Sequence, residues 1–128
     1  MNLNQITIPS LNIEKAIVFY QKLGLKLIVH SEQNYARFEC SNGATFSIHQ
    51  VEQLPNIDGI WVYFEIENLD QYVAELIRKN IEFIELPNDK PWLWREARLN
   101  DLDNNIIILY FAGKNRLNPP WKIKNRTV

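Results

Sequence analysis

The chain repeats itself. Residues 12–27 match residues 68–83 at an offset of 56, and residues 36–49 match residues 97–110 at an offset of 61. Ile13, Ala16, Ile17 and Tyr20 recur at helical spacing, and the first offset carries them onto Leu69, Tyr72, Val73 and Leu76, so each half predicts one amphipathic helix of the same phase. Asn12 and Asn68 stand where an N-cap oxygen would satisfy a free backbone N–H. Glu14 and Asp70 put negative charge in the first turn, and Gln71 is placed to complete a capping box with Asn68. At the far end Gly24 falls on Asn80, the two residue types that most readily take the left-handed conformation ending a helix.

The second matching pair reads as strands. Ala36-Arg37-Phe38 returns as Ala97-Arg98-Leu99, and Ser41-Asn42-Gly43 falls on Leu102-Asp103-Asn104, where Gly43 and Asn104 share tolerance of positive φ. Alternation assigns faces: Ile6, Ile8, Phe46, Ile48, Ile60, Val62, Phe64, Ile66, Ile107, Leu109 and Phe111 form an aliphatic set expected to cover the helices. The opposite face is mixed and unlike a plain core. It carries Gln5, Thr7, Arg37, Glu39, Ser47, His49, Trp61, Tyr63, Glu65, Glu96, Arg98, Ile108 and Tyr110.

The predicted order is strand 2–8, helix 12–23, strands 25–31, 34–41 and 44–50, then strand 59–66, helix 68–79 and strands 81–86, 95–100 and 105–112. That is an α+β chain, βαβββ written twice. The change of offset puts five extra residues in the second half, and residues 86–94, with Pro87, Asp89, Pro91, Trp92 and Trp94, are the expected site of a stiff apolar loop. At 128 residues and 46% hydrophobic content there is material for one domain, taken as residues 1–113 in two modules (1–52 and 58–113) with a tail at 114–128. The tail holds Lys114, Arg116, Lys122, Lys124 and Arg126, and reads as a solvated end rather than a polyanion site.

A net charge of −1 gives no field for nucleic acid or an acidic membrane. Cys40 alone excludes an intramolecular disulfide, and no apolar run is long enough to span a bilayer, so a reducing cytoplasm is the default expectation. Cys40 shares the aliphatic phase of Phe38 and is expected to be an inert core thiol.

The doubled βαβββ unit, together with IEKAIVFYQKLGL at 13–25 and WLWREARLNDLDNN at 92–105, resembles the vicinal oxygen chelate superfamily of glyoxalase I, extradiol dioxygenases and bleomycin-resistance proteins. The resemblance implies two modules whose mixed sheets curve round a cleft, commonly with a homodimer completing the sites. In metal-dependent members the ligands would fall on Gln5, Ser47, Trp61 and Ile108. Only Gln5 is a plausible donor type, so no metal and no cofactor are expected there. The turn Asp101-Leu102-Asp103-Asn104 also departs from the family's DPDG-like pattern.

Three function classes stay open. One is a metal-free binder of an aromatic or amphipathic small molecule, with Gln5, Ser47, His49, Trp61, Tyr63, Glu65, Trp94, Arg98, Ile108 and Tyr110 lining the site. Another is an enzyme, either with a displaced metal site at His49 and Glu65 or with Glu65 or Glu39 as general base. The third is an interaction module whose cleft is filled by its own aromatics. At the level of single residues, Arg37 with Glu39 and Glu96 with Arg98 read as strand ion pairs, against the alternative of anchoring an anionic ligand. Arg95 beside Trp94 reads either as a ligand cap or as a surface cation–π contact. His49, near a strand end, is expected to be a hydrogen-bonded edge residue, and His30 a solvated one.

Overall fold

The structure, a computed structural model, describes residues 3–32, 34–55 and 59–123. Lys124 and Arg126 of the basic tail, and residue 2 of the first predicted strand, lie outside them. Among the described residues two helices and eight strands follow the doubled order. The first half is β1 (Gln5–Ser10), α1 (Ile13–Leu23), β2 (Lys26–Ser31), β3 (Tyr35–Glu39) and β4 (Thr45–Gln50). The second is β5 (Trp61–Glu65), α2 (Leu69–Arg78), β6 (Glu85–Asp89), β7 (Arg95–Asn100) and β8 (Ile106–Phe111), closed by a 3-10 turn at Gly113–Asn115. Each half makes a four-stranded sheet, in the orders β1-β4-β3-β2 and β5-β8-β7-β6. The chain divides into two compact units. The first is residues 1–61 with 100–106; the second is residues 62–99 with 107–128.

In the first unit the sheet is mixed. β1 runs parallel to β4, with Gln5 opposite Thr45 and Thr7 opposite Ser47, while β3 is antiparallel to β4 and places Arg37 opposite Ser47. Helix α1 buries Ile13, Ala16, Ile17, Tyr20 and Leu23, the predicted stripe continued by one turn. Tyr20 meets Phe46 and Phe38 at centroid distances of 4.7 and 5.9 Å, and these three rings are the centre of the core. The start of α1 is well supplied with acceptors. Asn12 Oδ1 takes the Lys15 N–H (3.1 Å), Gln50 Oε1 the Ile13 N–H (3.0 Å) and Asp103 Oδ1 the Leu11 N–H (2.8 Å).

The segment 100–106 belongs to this first unit although the second repeat encodes it. Asp101 explains why. Its buried carboxylate accepts from the Tyr20 hydroxyl (2.6 Å), the Asn105 side chain (2.9 Å) and the backbone N–H groups of Asp103 and Asn105 (2.8 Å each). Four donors on one carboxylate replace the water that burial removes. A Cβ added at Gly59 would lie 2.1 Å from the Asn104 carbonyl oxygen, so the backbone there comes closer than any side chain allows.

In the second unit α2 buries Leu69, Val73 and Leu76, again in the predicted phase. The two helices end by one motif. Gly24 (φ 110°) donates to Gln21 O and Leu25 to Tyr20 O; at the offset of 56, Asn80 (φ 66°) donates to Ile77 O and Ile81 to Leu76 O. The β3–β4 and β7–β8 turns repeat as faithfully. Cys40 N bonds Ala44 O and Gly43 N bonds Cys40 O, while Asp101 N bonds Asn105 O and Asn104 N bonds Asp101 O, with Gly43 and Asn104 both at positive φ.

Several expectations are corrected. Asn68 makes no side-chain cap bond, so the capping box with Gln71 does not form; the helix start is served instead by Asp70, whose charge faces the dipole. Residues 86–94 are not a covering loop. β6 occupies Glu85–Asp89, later than the predicted 81–86, and only 90–94 turn. Pro87 is tolerated because β6 is an edge strand whose register against β7 shifts between Glu85 and Asn88, where no ladder donor is required. Phe111 and Ile60, assigned to the aliphatic face, are exposed at strand ends. Cys40 lies just past β3 and is half-buried, its thiol pushed up by burial and by Glu39. Among the described residues no helix is long and apolar enough to cross a membrane.

Candidate functional site

Each unit carries one chemically distinctive face. On the first sheet Gln5, Tyr35, Arg37, Thr45 and Ser47 meet by register. Ser47 stands opposite Arg37, and Gln5 opposite Thr45. The Tyr35 phenol is the hub: its oxygen lies 2.7 Å from Ser47 Oγ and accepts from Arg37 Nε at 2.9 Å. The Arg37 guanidinium also sits 5.4 Å from the centre of the Tyr35 ring. Burial is the largest single influence on this phenol and pushes its pKa up. Hydrogen bonds from Ser47 and Arg37, the Arg37 charge and the Gln5 amide together outweigh it and hold the phenol below its ordinary value. Gln5 Oε1 accepts from the Thr45 hydroxyl at 2.8 Å.

On the second sheet the side chains are aromatic. Trp94 stacks on Tyr110 (4.7 Å, 19° between planes), and Tyr63 meets both edge-on, at 6.1 and 5.7 Å. Tyr110 is buried behind, whereas Tyr63 is 43% exposed. The layer is pinned at its edges. Trp94 Nε1 donates to the Asn115 carbonyl (3.2 Å), and Glu65 Oε2 accepts the backbone N–H groups of Ala112 and Gly113 (2.9 and 3.0 Å) while its other oxygen faces Arg116 (3.6 Å). Burial raises the Tyr63 and Tyr110 phenols, with the Glu96 and Glu65 charges respectively adding to it. Glu96, buried, takes the Trp92 indole N–H at 2.7 Å.

The residues singled out in the sequence divide between these faces. Gln5, Ser47, Tyr63 and Tyr110 lie on β1, β4, β5 and β8, the strands expected to carry them, while Trp94, expected in a covering loop, stands in the turn just before β7. Ile108 and Ser47 are fully buried and Trp61 is half exposed. His49 is exposed on β4, an interior strand rather than an edge, opposite Tyr35. Arg98 lies on β7 and Glu65 on β5. The ion-pair expectation fails for Arg37 and Glu39, because Glu39 lies 4.0 Å from Lys26 and Arg37 turns to Tyr35. Arg95 turns to carboxylates instead of the Trp94 ring: its fork clamps Asp70 (2.8 and 2.9 Å) and reaches Asp89 (3.0 Å), holding the Asp70 carboxyl below its usual range. Tyr35 was missed. Its shared phase with Arg37 and Glu39 on one strand was the available signal.

The superfamily's metal positions do not fit a divalent ion here. Ser47 is buried against Tyr35, the Trp61 indole offers only a donor, and Ile108 is hydrocarbon. Among the described residues no group of three or more His, Cys, Asp and Glu is placed to hold a metal.

The model of the glyoxalase/bleomycin resistance protein/dioxygenase superfamily matches residues 2–109, which is most of the chain. The chain belongs to that superfamily. Solved structures share its fold at low identity. A glyoxalase/bleomycin resistance protein/dioxygenase from Nocardioides superposes with a TM-score of 0.73 at 18% identity, covering 100% of this chain and 90% of its own. Lactoylglutathione lyase from Agrobacterium tumefaciens gives 0.74 at 10% identity, covering 95% and 97%. TioX from Micromonospora sp. ML1 gives 0.72 at 11%, covering 88% and 99%. At such identities the likeness carries the superfamily fold alone. No curated protein matches the sequence.

Proposed function

We propose that this superfamily member binds a small aromatic or amphipathic molecule without a metal ion, and that the Tyr63–Trp94–Tyr110 layer supplies the stacking surface. The single observation that carries the reading is the half-exposed Tyr63 ring set edge-on against a stacked pair of half-buried Trp94 and buried Tyr110, a rigid aromatic platform rather than a loose patch. The unsuitability of Ser47, Trp61 and Ile108 as ligands favours binding over metal-assisted turnover. Glu65 and Glu39, the general-base candidates, are already engaged by backbone N–H groups and by Lys26 respectively. We take the working form to be a homodimer. Ile84 and Leu86, exposed beside and on the edge strand β6, support pairing of two copies.

Tryptophan fluorescence titrated with a panel of aromatic and glycopeptide-like compounds tests the reading. Saturable quenching that disappears in Trp94→Leu is the expected result; no quenching across the panel refutes it. Divalent cations should leave the melting temperature unchanged in the same preparation.

A further inference from the structure

Arg37 stands in an unusual position for a cation on a sheet face. Among the described residues its guanidinium makes one hydrogen bond, from Nε to the Tyr35 oxygen, and no ion pair. Its nearest acidic candidate by strand phase, Glu39, is drawn to Lys26 instead. Nη1 and Nη2 are therefore left without an acceptor on a half-buried side chain.

The side chain is also held in place. The Nε bond at 2.9 Å and the ring contact at 5.4 Å fix the direction of the fork, and Tyr35 is itself tied at 2.7 Å to Ser47, a fully buried residue of an interior strand. An arginine left free on a surface would lose rotamer freedom on meeting a ligand; this one has already lost much of it on folding. The guanidinium edge left open matches the two oxygens of a carboxylate. We propose that Arg37 is an anion anchor, taking the carboxylate of a small molecule in a two-pronged hydrogen bond, with Tyr35 as its positioning residue. The proposal is independent of the aromatic platform on the second sheet.

The test uses full-length protein and a non-aromatic pair of probes, butyrate and butyramide, at constant ionic strength. The arginine Nε–Hε NMR signals are followed, and the signal of Arg37 is identified by its loss in Arg37→Lys. A saturable shift of that signal with butyrate and none with butyramide is expected. By the heat of butyrate binding, Arg37→Lys should weaken affinity about tenfold. Tyr35→Phe should weaken it severalfold, and Lys26→Gln should leave it unchanged. The proposal is overturned if butyramide shifts the signal as butyrate does, if the signal does not move, or if Arg37→Met binds butyrate as tightly as the parent. The titration of the unmodified protein decides the matter even where a variant does not fold.

Discussion

Tyr20 and Tyr35 carry the same phenol into opposite surroundings. Tyr20 is buried against the Asp101 carboxylate, so desolvation and then the neighbouring negative charge drive its pKa well above the ordinary 10.0. Tyr35 is ringed by Ser47, Arg37 and Gln5 and goes down; Tyr63, Tyr72 and Tyr110 go up with burial. An ultraviolet pH titration should therefore show one tyrosine ionising ahead of the other four, and Tyr35→Phe should remove that early step. A titration in which all five ionise together would contradict the Tyr35 hub. For Tyr20 the sign runs the other way. Its folded pKa exceeds the unfolded one, so its contribution is fully present below pH 10.0 and is lost as pH rises through the folded value. Tyr20→Phe should cost about 1–3 kcal/mol at neutral pH by leaving Asp101 short of a donor, and its stability should fall less steeply in alkali. Denaturant melts at pH 7 and above pH 10 would show both effects.

The elements show what a linear pattern can and cannot convey. Helix phase and helix ends were legible because they are local: the stripe on α1 and the left-handed Gly24 and Asn80 depend on residues within two turns. The α2 start was misread because Asn68 has the right chemistry and the wrong backbone, at φ −98° and ψ 58°. β6 was misplaced because its Pro87 argues against a strand everywhere except at an edge, and being an edge is a property of the sheet. The turn after β6 keeps Leu93 at φ 68°, an awkward conformation for a branched side chain that is 47% exposed. Leu93→Gly should raise stability by up to about 1 kcal/mol. Gly59→Ala should do the reverse, since its methyl would strike the Asn104 carbonyl, and thermal melts of the two variants should move in opposite directions.

Across the whole molecule, strand phase told which face a side chain takes but not how deep it lies. Ser47, Glu96, Ile108 and Tyr110 share the mixed face with Trp61 and Tyr63, yet the first four are buried and the last two are open. The difference follows from strand order, since β4, β7 and β8 are interior strands and β5 is an edge, and that order is set by pairings far apart in sequence. The duplication gave the superfamily fold; the Tyr35 hub needed the register of β3 against β4. Segment 100–106 carries a further consequence, because the first unit includes Asp101, which the second repeat supplies to the Tyr20 hydroxyl. A polypeptide stopped ahead of β5 would thus lack its own keystone, and should stay unfolded until a separately made remainder is mixed in. Complementation of two fragments, rather than autonomy of the first, is what this contribution of seven residues prescribes.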